Sequence, residues 1–88
     1  MQPQPDEAKF ILRQMRGGVA PDDDDYFARA WRTARARAAQ DGAVAQQPAR
    51  RSCGFEARRG TLFYVLRNVG GELARLKVTP TGRLLWVE

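Results

Sequence analysis

The chain has 88 residues, of which 43% are hydrophobic and 28% are charged, and its formal net charge is +5. This length allows one small hydrophobic core, and the composition is that of a globular protein rather than a disordered one. The sequence has no histidine, one serine (Ser52) and one cysteine (Cys53). These counts exclude Ser–His and Cys–His nucleophile pairs, an internal disulfide, and zinc sites built from several cysteines or histidines.

The missing residue types predict a protein that is not an enzyme and that uses no cofactor or metal, since only carboxylates, lysines and tyrosines remain for acid–base chemistry. The apolar runs are far shorter than the roughly 20 residues that span a bilayer. The beginning of the chain, MQPQPDEAK, lacks the basic and apolar regions of a secretory signal. We therefore expect a cytoplasmic protein without a membrane partner.

The first predicted element is a helix over residues 5–17. Pro5 suits the first helical position, and the pair Gly17–Gly18 suits the end. Its apolar residues recur at helical spacing: Ala8, Ile11, Leu12 and Met15. Phe10 points away from this stripe, so it is either covered by the rest of the fold or exposed to a partner.

A second helix is predicted over residues 22–41, beginning at the four aspartates Asp22–Asp25 and ending before Gly42. Its apolar face holds Phe27, Ala30, Trp31, Ala34 and Ala38. We expect Phe27 and Trp31 to anchor this face in the core, while Arg29 and Arg32 lie on the opposite side. The short connection from Gly17 to Pro21 predicts that the two helices pack antiparallel.

Residues 42–53 contain Pro48 and show no periodicity, which is typical of a linker. The remainder, 54–88, is rich in β-branched and aromatic residues and is punctuated by glycine. Strands are predicted at 61–68, 72–78 and 83–87, with an edge strand at 55–59. The chain is thus predicted to form one small α+β domain over residues 1–88, with an N-terminal antiparallel helix pair packed on one face of a three- to four-stranded antiparallel meander.

The aspartate run has three interpretations. Aspartate is a preferred helix N-cap, and further acids stabilise the first turn of a helix, which favours a helix start. The carboxylates could instead contact a basic partner or the protein's own arginines. A metal site is the weakest interpretation, because the run lacks the alternation, the glycine and the closing glutamate of a calcium loop.

Thirteen of the fifteen basic residues are arginine, a side chain that binds phosphate and carboxylate in a bidentate manner. Codon bias in a GC-rich genome and a simple solvated basic face are the alternatives. Nucleic-acid or partner binding is predicted for six arginines: Arg29, Arg32, Arg50, Arg51, Arg58 and Arg59. Four aromatic residues would stack on bases if they are exposed: Tyr26, Phe63, Tyr64 and Trp86.

A surplus of apolar residues predicts a protein interface or a homodimer built on Phe10, Phe63, Leu84 and Trp86. The leading hypothesis is a small regulatory or accessory protein that binds nucleic acid or a nucleoprotein complex through the six arginines. The alternative is a protein-binding inhibitor or adaptor of the kind that mobile elements encode, anti-CRISPR-like inhibitors included.

Overall fold

A computed structural model of the protein describes residues 22–87. This part of the chain is α+β, and its elements follow one another as helix α1 (Asp23–Gln40), a 3-10 turn (Arg50–Ser52), and strands β1 (Gly54–Arg58), β2 (Thr61–Asn68), β3 (Gly71–Val78) and β4 (Leu84–Trp86). The strands form one antiparallel sheet in the order β1-β2-β3-β4. Each strand therefore pairs with its neighbour in the sequence.

The predicted N-terminal helix pair is wrong. In residues 22–87, α1 is the one helix that packs on the sheet, and it contacts β1, β2 and β4. Its buried residues, Tyr26 and Ala30, are covered by the sheet, so α1 needs no second helix to bury its apolar face. The predicted helix at 5–17 and Phe10 lie outside the described residues.

The start of α1 follows from the aspartate run. Asp22 is the N-cap, and its Oδ1 accepts hydrogen bonds from the backbone N–H groups of Asp24 at 2.9 Å and Asp25 at 3.4 Å. These bonds satisfy donors that have no partner within the first helical turn. The acidic first turn and Arg37 in the last turn also complement the helix dipole.

The core lies between α1 and one face of the sheet, where Tyr26 is the principal helix anchor. Its ring lies 5.0 Å from that of Phe55 and 6.3 Å from that of Tyr64, measured between centroids. Phe27 and Trp31, the predicted anchors, are only partly buried. Helical periodicity predicted the direction of the apolar face with an error of about one residue. One residue corresponds to a rotation of about 100° around the helix axis, and Tyr26 rather than its neighbour Phe27 points into the sheet. The buried sheet residues on the face toward α1 are Leu62, Tyr64, Leu66, Ala74, Leu76 and Val78.

Residues 42–53, predicted as a linker, run against the edge of β2. The N–H of Ala49 donates to the carbonyl of Arg67 at 2.8 Å, and Pro48 is buried. The Cys53 thiol is also buried; its sulfur lies 3.3 Å from the carbonyl oxygen of Ala49 and accepts from the N–H of Arg67 at 3.3 Å. These contacts attach the segment to the sheet.

The face of the sheet opposite α1 carries a cluster of ion pairs between side chains of β1, β2 and β3. The carboxylate of Glu56 lies 2.6 Å from Arg67, 3.0 Å from Arg75 and 3.1 Å from Arg58. The guanidinium of Arg75 also lies over the ring of Phe63. Val65, which points to this face, is fully buried although α1 lies on the other side. Long arginine side chains therefore shield apolar residues that the sequence suggested a partner would cover.

Candidate functional site

The turn between β3 and β4 places one arginine beside α1. The N–H of Gly82 donates to the carbonyl of Thr79 at 2.9 Å, and the N–H of Thr79 donates to the carbonyl of Arg83 at the same distance. Gly82 has φ +88°, a left-handed conformation that glycine adopts without strain. The chain leaves this turn at Arg83, whose side chain is exposed.

Arg29 joins helix α1 to this turn. Its Nη2 donates to the carbonyl oxygen of Gly82 at 2.8 Å, and the hydroxyl of Tyr26 donates to the same oxygen at 3.4 Å. The guanidinium also lies 4.9 Å from the ring centroid of Tyr26 and 3.4 Å from the carboxylate of Asp25. Arg29 is thus held in one position before any ligand binds.

A depression of about 240 Å³ lies between α1 and the end of the sheet. Its described lining residues are Arg29, Arg32, Thr33, Arg83 and Leu84, none of which is acidic. The side chains of Arg32 and Arg83 are exposed and make no ion pair or hydrogen bond within residues 22–87. We call this feature the arginine depression. It offers three guanidinium groups to an anion, two of them without a protein partner in the described chain.

The β1–β2 hairpin brings two more arginines to the same end of the sheet. Arg58 pairs with Thr61, so Arg59 and Gly60 form the loop of the hairpin. Phe63 of β2 lies opposite Lys77 of β3. Two residues from this pair in the same direction along the sheet, β2 begins at Thr61 and β3 is followed by Thr79. The β1–β2 loop and the β3–β4 turn therefore lie at the same end of the sheet. Neighbouring strands are about 4.8 Å apart, which places the two turns about 10 Å from each other. We call the set Arg29, Arg32, Arg58, Arg59 and Arg83 the arginine end.

Two of the six arginines that were predicted to bind nucleic acid or a partner lie away from the arginine end. Arg50 is 2.7 Å from the carboxylate of Asp24 and 3.5 Å from that of Asp23, and its guanidinium lies over the ring of Phe27. The hydrogen bond that Arg50 donates to Asp24 raises the pKa of Arg50. Arg51 is exposed in the 3-10 turn, near the other end of β1. Arg83, in contrast, belongs to the arginine end although the sequence did not single it out.

The four aspartates divide their contacts among different parts of the protein. Asp22 caps α1, Asp23 accepts a hydrogen bond from the Tyr64 hydroxyl at 2.8 Å, Asp24 pairs with Arg50, and Asp25 pairs with Arg29. The second interpretation of the run, contact with the protein's own arginines, therefore holds together with the helix start. Within residues 22–87, no three histidine, cysteine or acidic side chains are placed to hold a metal ion.

Of the four aromatic residues proposed for base stacking, two are buried and two are partly exposed with an arginine over the ring. Tyr26 and Tyr64 are buried in the core. Phe63 lies beneath Arg75, and Trp86 lies beneath Arg37, each with the guanidinium about 5 Å from the ring. Stacking on bases requires an exposed ring face. Packing in the core and the cation–π contacts occupy ring faces of these four residues.

The three described residues of the predicted apolar interface do not all lie on the same face of the sheet. Phe63 points to the face of the sheet away from α1, opposite Glu56 and Lys77. Leu84 and Trp86 lie opposite Val78 and Leu76 and pack on the core from the helix side. Phe10 is outside the described residues.

A second depression, of about 270 Å³, lies at the other end of α1. It is an apolar groove with Arg37 and Asp41 among its lining residues. Its apolar lining includes Trp31, Ala34, Ala38, Val44, Leu66, Leu73 and Trp86.

No known protein family matches this chain, and no curated protein or solved structure is similar to it. In the part of the chain from 22 to 87, no helix has the length and apolar character needed to cross a membrane.

Proposed function

We propose that the protein binds nucleic acid through the phosphate groups, at the arginine end. The observation that carries this proposal is the convergence of Arg29, Arg32 and Arg83 on one depression whose described lining holds no acidic residue. The protein would act as a non-enzymatic regulatory or accessory factor in the cytoplasm.

The chemistry of the depression suits a phosphate. Guanidinium groups donate two parallel hydrogen bonds to a phosphate, and they lose less hydration than ammonium groups when they do so. Arg29 is held by the carbonyl of Gly82, which lowers the entropy cost of binding. Arg32 and Arg83 have no partner to give up within residues 22–87.

The local charge favours an extended polyanion over a single small anion. Within residues 22–87, two acidic residues contact the arginine end: Asp25 at Arg29 and Glu56 at Arg58. Five arginines against these two acids leave a net positive charge at this end of the sheet, spread over two turns about 10 Å apart. A nucleic-acid backbone presents several phosphates over such a distance, so it can contact both turns together.

Single arginine-to-alanine variants test the proposal. Arg32→Ala and Arg83→Ala are each expected to weaken binding to a short duplex about tenfold and to reduce the slope of log affinity against log salt by about 1. Binding is measured by fluorescence anisotropy between about 50 mM and 200 mM salt. Arg51→Ala is the matched control, because Arg51 is also exposed and has no ion pair within residues 22–87 but lies away from the depression.

The proposal fails if the unmodified protein shows negligible affinity at low salt, or if its affinity barely depends on salt. It also fails if the Arg51→Ala control loses as much affinity as the two depression variants, because the arginines would then act only as net charge.

A protein partner is the second candidate function, of the inhibitor or adaptor kind. The apolar groove near Trp86 favours it, since such grooves accept apolar side chains of other proteins. Val44 lines this groove and is 95% exposed, so Val44→Asp changes the groove without touching the core. A partner that remains bound after nuclease treatment and is lost from Val44→Asp would support this function over the first.

A further inference from the structure

Strand β4 lies at an edge of the sheet and pairs with β3 alone in the part of the chain that the structure describes. Its pairing with β3 continues past Trp86, because the N–H of Val87 donates to the carbonyl of Arg75 at 3.2 Å. Along an antiparallel strand, the N–H and C=O groups of successive residues point to alternate sides. Since the backbone of Val87 bonds toward β3, the N–H and C=O groups of Leu84 and Trp86 point away from β3, toward the edge.

The side chains of this edge are apolar on both faces of the sheet. Leu85 lies opposite Lys77 on the face away from α1 and is 46% exposed. Val87, two residues further along the strand, is 38% exposed. On the helix side, Trp86 lines the apolar groove. Apolar surface therefore continues around the edge from one face of the sheet to the other.

The opposite edge, strand β1, carries charges instead. Glu56 and Arg58 lie on the face away from α1 and pair with each other at 3.1 Å. Charged side chains on an edge strand are one of the means by which proteins prevent pairing with other chains, whereas an uncharged apolar edge accepts a further strand. The segment Leu84–Val87 holds no charged residue. Of the two edges of the sheet, β4 is therefore the one suited to strand addition.

We infer that β4 pairs antiparallel with β4 of a second copy of this chain. When Trp86 of one copy lies opposite Trp86 of the other, each N–H can donate to the carbonyl of the other copy, so the outward backbone groups of Trp86 gain partners. Opposite residues of paired strands point to the same face, so this register places Leu85 of each copy against Val87 of the other. The exposed apolar side chains then cover one another across a two-fold axis.

The backbone and side chains of β4 favour this register over its neighbour. A slide of two residues keeps the faces of the two sheets aligned, but it places Leu85 opposite Leu85 and Val87 opposite the exposed Arg83. With Trp86 at the axis, apolar residues face apolar residues. The two four-stranded sheets become one continuous antiparallel sheet with both α1 helices on the same side. A second copy therefore supplies both the complementary backbone groups and the complementary side chains.

Sedimentation velocity of the full chain at increasing concentration tests the inference. We expect a monomer–dimer equilibrium in which the dimer fraction grows with concentration. Leu85→Glu should raise the dissociation constant about tenfold, because a carboxylate of each copy would face Val87 of the other. Within one chain the new carboxylate lies beside Lys77, so the fold should be retained. Val69→Glu is the matched control: Val69 is also apolar and exposed but lies in the turn between β2 and β3, and the dimer should be unchanged.

A charge swap tests the register. Val87→Lys alone should weaken the dimer as Leu85→Glu does. Mixed in equal amounts, the two variants should form a heterodimer about as tight as the unmodified dimer, because a glutamate faces a lysine at one position and Leu85 faces Val87 at the other. Sedimentation of the mixture and of each variant alone measures the recovery. A mixture that stays as weakly associated as its components would overturn the inference.

The remaining outcomes are equally decisive. A chain that is monomeric at every concentration would overturn the inference, as would a dimer that Leu85→Glu and Val69→Glu weaken equally. Circular dichroism melting shows whether each variant is folded, and Leu85→Lys mixed with Val87→Glu provides the reversed swap if one of the first pair unfolds. None of these measurements includes nucleic acid, so the inference and the proposed function fail independently of each other.

Discussion

The hydroxyl of Tyr64 donates a 2.8 Å hydrogen bond to Oδ1 of Asp23, which joins the central strand β2 to the first turn of α1. Tyr64 is fully buried as a residue, and its ring packs edge-on against Phe55. Burial, together with the bond to Asp23, raises the pKa of Tyr64, so the hydroxyl remains a donor throughout the pH range in which the protein is handled. A core aromatic residue thereby attaches the first turn of α1 to the sheet.

Tyr64→Phe should lower the free energy of unfolding by about 1–2 kcal/mol, because it removes a hydrogen bond to a charged acceptor while it keeps the buried ring. Urea denaturation followed by circular dichroism measures the change. Tyr26→Phe is the matched control: its hydroxyl makes a longer bond, 3.4 Å to the Gly82 carbonyl, and a smaller loss is expected. Equal losses in the two variants would contradict the importance given to the Asp23 bond.

Glu56 should make stability depend on pH. The pKa of Glu56 lies below its ordinary value of 4.5. The largest cause is the hydrogen bond from Arg67; the hydrogen bond from Arg75 and the positive charges of both arginines lower the pKa further. A carboxylate with a lowered pKa stabilises the fold fully above the unfolded pKa, and this contribution is lost as the pH falls through the lower folded pKa. We expect Glu56→Gln to lower the free energy of unfolding by about 1–2 kcal/mol at neutral pH. In strong acid the variant and the unmodified protein should be equally stable.

The measurement is the urea midpoint of both proteins across the acid range, compared at each pH. Glu72→Gln serves as the control, because Glu72 is more exposed than Glu56 and its shortest ion pair is to Arg75. If the difference between Glu56→Gln and the unmodified protein stayed constant down to strong acid, the ionised carboxylate would not be its source.

The thiol of Cys53 should be protected in the folded protein. The residue is 9% exposed, and its sulfur is hydrogen-bonded to the backbone of residues 49 and 67. Reaction with a thiol reagent is therefore expected to require opening of the 42–53 segment and to be at least tenfold slower in buffer than in denaturant. Val69→Cys in a Cys53→Ala background supplies an exposed thiol for comparison. A Cys53 rate similar to that of this reference would show that the segment is loosely attached.

Local patterns predicted the parts of the fold that depend on nearby residues. The aspartate run marked the start of α1, since capping involves residues two or three apart. The residues Thr79–Pro80–Thr81–Gly82, between the strands predicted at 72–78 and 83–87, are likewise typical of a turn, and the β3–β4 turn lies there. The helix pair was wrong because it was inferred from a short connection, and a short connection limits the distance between two elements without deciding what either packs against.

The candidate site depended on longer-range relationships. Arg83 lies near Arg29 because Arg29 donates a hydrogen bond to the carbonyl of Gly82, the residue before Arg83. Arg29 and Gly82 are 53 residues apart, and no local pattern in the sequence predicts this contact. Arg50, for which partner binding was predicted, forms ion pairs with Asp23 and Asp24. A count of arginines cannot separate those that balance internal carboxylates from those that face solvent.

The strand order has a consequence for how the chain reaches its fold. Because β1, β2, β3 and β4 are neighbours in both sequence and sheet, each pairing closes only a short loop, and no strand must be inserted between two others. Proteins whose contacts are mostly local in sequence cross a lower entropic barrier and fold faster than sandwiches and barrels with distant pairings. The hairpins of this sheet can therefore form one after another. Within residues 22–87, the docking of α1 onto the β3–β4 turn, through the bonds of Tyr26 and Arg29 to Gly82, closes a longer loop than any of the strand pairings.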